Sequence, residues 1–198
     1  MKNKRKILFF GATSFAAEDL IGYLKKKYEI INVSRKKHIN CKNIKFDLNK
    51  INNSIGKINK LKNIHYIFYF SSFVPSKEKD SSMRKCLDIN VLGTQNVIDC
   101  MSEDQLLLFG STGSNYGKVD GICLETTPLN PSTLYGETKT EAEDLVMTQH
   151  KNSVAYRFAT AFGVSPRLRM DLLINDLAYK AITDGCLVIY QSGAMRTF

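Results

Sequence analysis

Short runs rich in β-branched and aromatic residues alternate with longer helix-patterned stretches from one end of the chain to the other. No other feature restricts the fold as much, because that alternation is the signature of βαβ units and a parallel sheet. KILFFG (6–11), EIINVS (29–34), IKF (44–46), HYIFYFSS (65–72), LLLFGS (106–111) and VAYRF (154–158) read as strands. The fourth is apolar on both faces, as a central parallel strand must be. Helical patterns lie between them at 16–27, 82–101 and 133–149; another covers about 168–183, and a last β-rich run, CLVIY, follows at 186–190. The predicted architecture is α/β: a doubly wound parallel sheet that binds ligands at the carboxyl ends of its strands, where the strand order reverses.

With 198 residues, 43% of them hydrophobic and 24% charged, the chain can bury one real core, and 12 Gly and 4 Pro argue against collagen-like or disordered behaviour. No apolar run is long enough to cross a bilayer, and MKNKRKILFFGA leads directly into a strand and a glycine turn rather than a cleavage site. A soluble cytoplasmic protein without a signal peptide is expected. The five cysteines form no C-x-x-C pair, so free, mostly buried thiols and no metal site are expected. Residues 1–62 hold 16 of the 28 Lys+Arg and 4 of the 19 Asp+Glu, a charge of +12 against −3 for the remainder. A basic half of this kind suits nucleic acid or phosphate-bearing ligands. Here the lysines are interleaved with Asn and Ile and lack aromatic neighbours, so a solvated face is preferred and no nucleic-acid partner is expected.

The first strand runs into GATSFAAEDL, where a dinucleotide-binding turn would place glycines at its first, fourth and seventh positions; here stand Gly11, Ser14 and Ala17. Small residues at the last two still let a helix N-terminus face a pyrophosphate, although an ordinary strand-to-helix turn would look similar. The second strand ends at Ser34-Arg35-Lys36-Lys37, without the acid that would accept from a ribose 2′-hydroxyl. Arg35 suits a 2′-phosphate instead, which favours NADP over NAD. Asp47 follows the third strand, either beneath an adenine amino group or as a turn residue.

Tyr135-Gly-Glu-Thr-Lys139 puts a phenol and an ammonium one helical turn apart. A nearby cation favours phenolate, so the pair can serve as an acid/base; a surface i,i+4 pair is the alternative. Thr112 in FGSTGSNYG, just after the fifth strand, would present a hydroxyl at the same edge of the sheet.

Taken together, GATSFAAED, YFSSF, NVLGTQNV, GSTGSNYG, ETTPLNPSTLYGETK, YRFATAFG and SPRLRMDLLINDL make the chain resemble the extended short-chain dehydrogenase/reductase family, in particular its NAD(P)-dependent nucleotide-sugar epimerases and dehydratases. The resemblance implies a Rossmann-type domain over 1–162 and the start of a truncated substrate-binding region over 163–198. It implies a nucleotide-diphosphate sugar as substrate, NADP or NAD as cofactor and a homodimer at full length. Thr112, Tyr135 and Lys139 take the catalytic places, with Lys139 also on the nicotinamide ribose. Gly11, Thr13, Ser14, Phe15, Arg35, Asp47, Leu48, Ser71 and Asn90 take cofactor-lining places. Thr112, Ser114, Arg167, Arg169 and Asn175 take places around the substrate.

Three departures from the family pattern bear on activity. The glycine turn is thinned at Ser14 and Ala17. Gly113-Ser114 replaces the Asp-Glu pair that sugar dehydratases use to eliminate water, and the chain stops at GAMRTF, where relatives continue. Epimerisation through a transient keto-sugar is therefore expected, ahead of NADPH-dependent keto-sugar reduction or a non-catalytic NAD(P)-binding remnant.

Overall fold

The computed structural model describes residues 4–48, 63–75, 80–165 and 168–188, the side chains of 15, 16, 80 and 81 aside. The strands are β1 (Lys6–Phe10), β2 (Glu29–Ser34), β3 (Lys42–Lys45), β4 (Ile64–Tyr69), β5 (Leu106–Thr112) and β6 (Ser153–Phe158). They form one sheet in the order β3-β2-β1-β4-β5-β6. Every pairing is parallel, so the chain winds outward in both directions from β1. This is the doubly wound, Rossmann-type sheet, and its strand order reverses between β1 and β4.

Alternation along β1 sends its side chains to two different cores. Ile7 and Phe9 pack with Ala17 and Ile21 of α1 (Phe15–Leu24) on one face. Leu8 and Phe10 face the opposite layer, where Val97, Ile98, Ala142 and Val146 cover the sheet. That layer consists of α2 (Asp80–Cys86), which runs on through a π-helical stretch (Leu87–Leu92) into α3 (Gly93–Ile98), and of α4 (Leu134–Gln149). The last element described is α5 (Leu173–Thr183).

Several boundaries differ from the sequence reading. β3 spans Lys42–Lys45 instead of 44–46, because the ladder with β2 pairs Ile31 with Lys42 whatever the apolarity of the edge. The last helix begins at Leu173, not near 168. Residues 186–188 are not in a strand, and 189–190 of the expected CLVIY strand lie outside the described residues. All five cysteines are free, but Cys86 alone is fully buried. Among the described residues no helix is long and apolar enough to cross a membrane.

Candidate active site

At the carboxyl end of β1 the chain turns so tightly against β4 that a side chain has no room. Gly11 adopts φ +83°, and a Cβ there would lie 2.8 Å from both the Phe70 carbonyl carbon and the Ser71 nitrogen. Ser14 starts α1 in an extended conformation without bonding its backbone, and its buried Oγ has no partner among the described residues. These residues open onto a cleft of about 260 Å³ lined by Gly11, Thr13, Ser14, Arg35, Asp47, Leu48 and Ser71, all expected from the sequence, with Lys36, Ser72 and Phe73 beside them. A helix N-terminus, free hydroxyl capacity and two cationic side chains in one crevice suit a phosphorylated dinucleotide. Phe15 opens α1, its side chain lying outside the described residues.

The segment that carries Arg35 is held from beneath by polar residues that sequence reading missed. Asn32, fully buried in β2, donates to the Lys36 carbonyl at 2.9 Å and to Asn43 Oδ1 at 2.8 Å, and that same oxygen accepts from the His38 N–H. His38 Nε2 lies 3.2 Å from Glu18 Oε2 on α1, tying the Arg35 segment to the helix whose N-terminus faces the cleft.

Beyond this cleft, Thr112 ends β5 and its hydroxyl accepts from the Ser114 N–H at 3.2 Å, so the two residues are bonded to each other. Gly117, which ends the following turn at φ +67°, lies so close to the chain that a Cβ would be 1.9 Å from the Asn130 carbonyl oxygen. Thr133 caps α4 by accepting from the Gly136 N–H, which sets Tyr135 in the first turn and Lys139 one turn later. The Ser72 and Thr112 hydroxyls lie beside the Tyr135 phenol and, with the Arg169 charge, favour its ionised form; burial outweighs them and pushes its pKa up. Lys139 is 1% exposed, with Nζ 3.9 Å from the centre of the Phe109 ring. Burial pushes its pKa down to about 7, against the Glu143 charge.

A surface pair is thereby excluded for Lys139. The expected direction at Tyr135 is also corrected: sequence proximity predicted a lowered phenol pKa, but desolvation penalises both charged forms and dominates at both residues. Ser72 connects the two places, lining the cleft and lying beside the Tyr135 phenol. The local signal for it was its position beside Ser71.

Asn90 does not line the cleft. It sits buried in the π-helical stretch, accepts from the Phe73 N–H at 2.8 Å and donates to the Phe73 carbonyl and to Thr138, so it fixes the segment after β4. Asn175 works similarly: it accepts from the Gly163 N–H and donates to the Arg169 carbonyl, joining the exit of β6 to the segment that brings Arg169 toward Tyr135. Arg169 is also paired with Asp171. Arg167 lies outside the described residues.

The family model for the NAD dependent epimerase/dehydratase family matches residues 7–196. A relative from Bacillus subtilis (strain 168), the uncharacterized UDP-glucose epimerase YtcB, is 31% identical over 110 residues, which are 52% of this chain and 34% of that one. The structure of MoeE5 in complex with UDP-glucose and NAD superposes with a TM-score of 0.76 at 27% identity, over 91% of this chain and 62% of that one. UDP-glucuronic acid 4-epimerase from Bacillus cereus, solved with NAD, shares the fold with a TM-score of 0.75 at 24% identity, over 90% of this chain and 64% of that one. The matches to these relatives span between a third and about two thirds of their length.

Proposed function

The chain belongs to the NAD dependent epimerase/dehydratase family, and we propose that it carries the cofactor and acid/base half of a nucleotide-sugar epimerase acting through a transient keto-sugar. The observation that carries this reading is the placement of the Tyr135 phenol beside Thr112 at the end of β5 and beside Ser72 on the rim of the cleft. The cleft fits a nicotinamide dinucleotide, because Gly11 lets the chain turn close against β4 so that the N-terminus of α1 faces the cleft, where the unpartnered Ser14 Oγ offers a donor for a pyrophosphate. Gly11, Thr13, Ser14, Arg35, Asp47, Leu48 and Ser71 would hold it, and when bound it would supply a hydride acceptor and donor.

Tyr135 takes the proton from a sugar hydroxyl and later returns it, while Thr112 orients the sugar oxygen and Ser72 the phenol. The Lys139 ammonium favours the phenolate that this exchange requires, and the Phe109 ring offsets part of the cost of burying it. Arg169, within electrostatic reach of Tyr135, suits the anionic part of the substrate. Tyr135→Phe should lower turnover of UDP-glucose by at least about 10²-fold while cofactor affinity, followed by fluorescence titration, stays the same. Normal turnover in that variant would remove the acid/base role.

A second reading, NADPH-dependent keto-sugar reduction, is favoured by Arg35 and Lys36 on the cleft wall. An epimerase retains its nicotinamide through an internal cycle, whereas a reductase releases it each turnover, so the cofactor content after purification separates the two. Either enzyme would pair with a second copy through the outer face of α2, the π-helical stretch and α4, where Met83, Leu87 and Leu92 are exposed among Arg84, Asp88 and Glu141. A monomer mass that does not vary with concentration in sedimentation would reject that pairing.

A further inference from the structure

Glu143 is buried, and neither the cleft nor the proton exchange described above uses it. Its Oε1 accepts from Arg157 Nε at 2.9 Å and from a second guanidinium nitrogen at 2.7 Å. Its Oε2 accepts from Ser111 Oγ at 2.5 Å and Asn115 Nδ2 at 3.0 Å. Ser111 precedes Thr112 on β5, and Asn115 lies in the turn that Thr112 caps, its Nδ2 also donating to Ser111 at 3.0 Å. On α4, Tyr135, Lys139 and Glu143 follow one another at single-turn spacing. Arg157 extends the assembly from β6 by donating to the Tyr116 hydroxyl and the Glu125 carbonyl. An apolar cluster of the same volume would be as stable as such a buried ion pair, or more so. It would lack the bonds to Ser111 and Asn115 and the charge beside Lys139.

We propose that Glu143 is a positioning residue, locking the end of β5 that carries Thr112 to the helix that carries Tyr135 and Lys139 and placing a negative charge one helical turn from Lys139. The role in catalysis rests on the epimerase reading; the lock itself does not. The Phe109 ring of β5 lies against Lys139 Nζ, and the titratable or charged groups on the elements packed against α4 include Cys86 on α2, Tyr116 in the turn after β5 and Arg157 on β6, with Tyr135 and Glu143 on α4 itself, while Asp88 and Glu141 belong to the outer face. Burial lowers the Lys139 pKa and the Glu143 charge raises it, so the carboxylate keeps the ammonium populated near neutrality.

The test is Glu143→Gln in the full chain, which conserves shape and removes charge. The Lys139 titration midpoint, read by NMR of side-chain-labelled lysine and assigned with Lys139→Met, should fall by about one pH unit or more. Turnover of UDP-glucose with NAD should fall about tenfold or more in kcat with KM changed less than about threefold. An unchanged midpoint overturns the proposal even if melting temperature drops, since a merely structural ion pair predicts the drop alone. If Glu143→Gln does not fold, Ser111→Ala leaves the ion pair in place. It should lower kcat severalfold at constant KM, and an unchanged kcat counts against the lock. A wild-type chain that binds no nicotinamide dinucleotide overturns the epimerase reading, and where turnover cannot be read the Lys139 midpoint in Glu143→Gln, or in Glu143→Asp if the amide variant does not fold, decides the Glu143 assignment.

Discussion

The middle strand of the sheet and its edge strand draw on similar residues and meet different fates. In β1, Ile7, Leu8, Phe9 and Phe10 are each 1% exposed or less, because α1 covers one face and the α3 and α4 layer the other. In β6, Ala155 and Arg157 face α4, while Val154, Tyr156 and Phe158 are 41%, 43% and 45% exposed. Tyr156 and Phe158 stack on each other, and Phe158 meets Phe70 edge to face. Phe162, Val164, Leu168 and Met170 continue the exposed apolar surface beyond the strand. The β1 side of the molecule is thus held by packing on both faces, whereas the β6 side is held chiefly by polar contacts on one face.

Truncation is the strongest way to break this contrast. Phe9→Ala should cost about 3–5 kcal/mol in urea denaturation and Phe158→Ala less than about 1 kcal/mol; equal losses would mean that β6 is supported as well as β1. The next effect concerns Lys139, the ammonium that is buried among the described residues. Lys139 holds its proton up to about 7 in the folded chain and up to its ordinary 10.5 when unfolded. Between those values the unfolded state binds more protons, so stability should rise with pH through the window and be lowest below it. Lys139→Met should flatten that rise and raise neutral-pH stability by on the order of a few kcal/mol. A slope that survives the substitution would assign the pH dependence to other groups. Smaller still, Arg35→Asp should weaken NADP relative to NAD by about 1.5–3 kcal/mol, the worth of a charge-assisted contact. Equal weakening of both cofactors, measured by titration, would make Arg35 a surface charge on a well-packed half.

These regions also differ in how much the sequence disclosed. β1, β2, β4 and β5 were legible because buried parallel strands are apolar runs, and each observed boundary falls within a few residues of the expected one. β3 was displaced because an edge strand is defined by its ladder rather than its hydrophobicity, and 186–188, the described part of CLVIY, show that β-rich residues without a paired neighbour among the described residues need not be in a strand. The Tyr135–Lys139 spacing was visible because it is local to one helix. The approach of Ser72 to Tyr135 and the bonds of Glu143 to Arg157 and Ser111 were not, since they join segments far apart in the chain. The direction of the Tyr135 pKa was misjudged for the same reason: a neighbouring charge can be read from spacing, but desolvation depends on everything packed around the residue.

Gly117 has an evolutionary consequence. With 1.9 Å between an added Cβ and the Asn130 carbonyl oxygen, the position rejects alanine as firmly as tryptophan. Every missense change at a glycine codon introduces a Cβ, so no single nucleotide step can replace this residue while the segment around Asn130 stays in place. Drift at Gly117 therefore has to wait for a rearrangement near Asn130, whose own N–H is bonded to the Asn115 carbonyl. The two loops behind Thr112 and Tyr135 are consequently expected to be inherited as a linked pair, and in chimaeras between distant relatives crossovers placed between them should fail more often than crossovers placed outside.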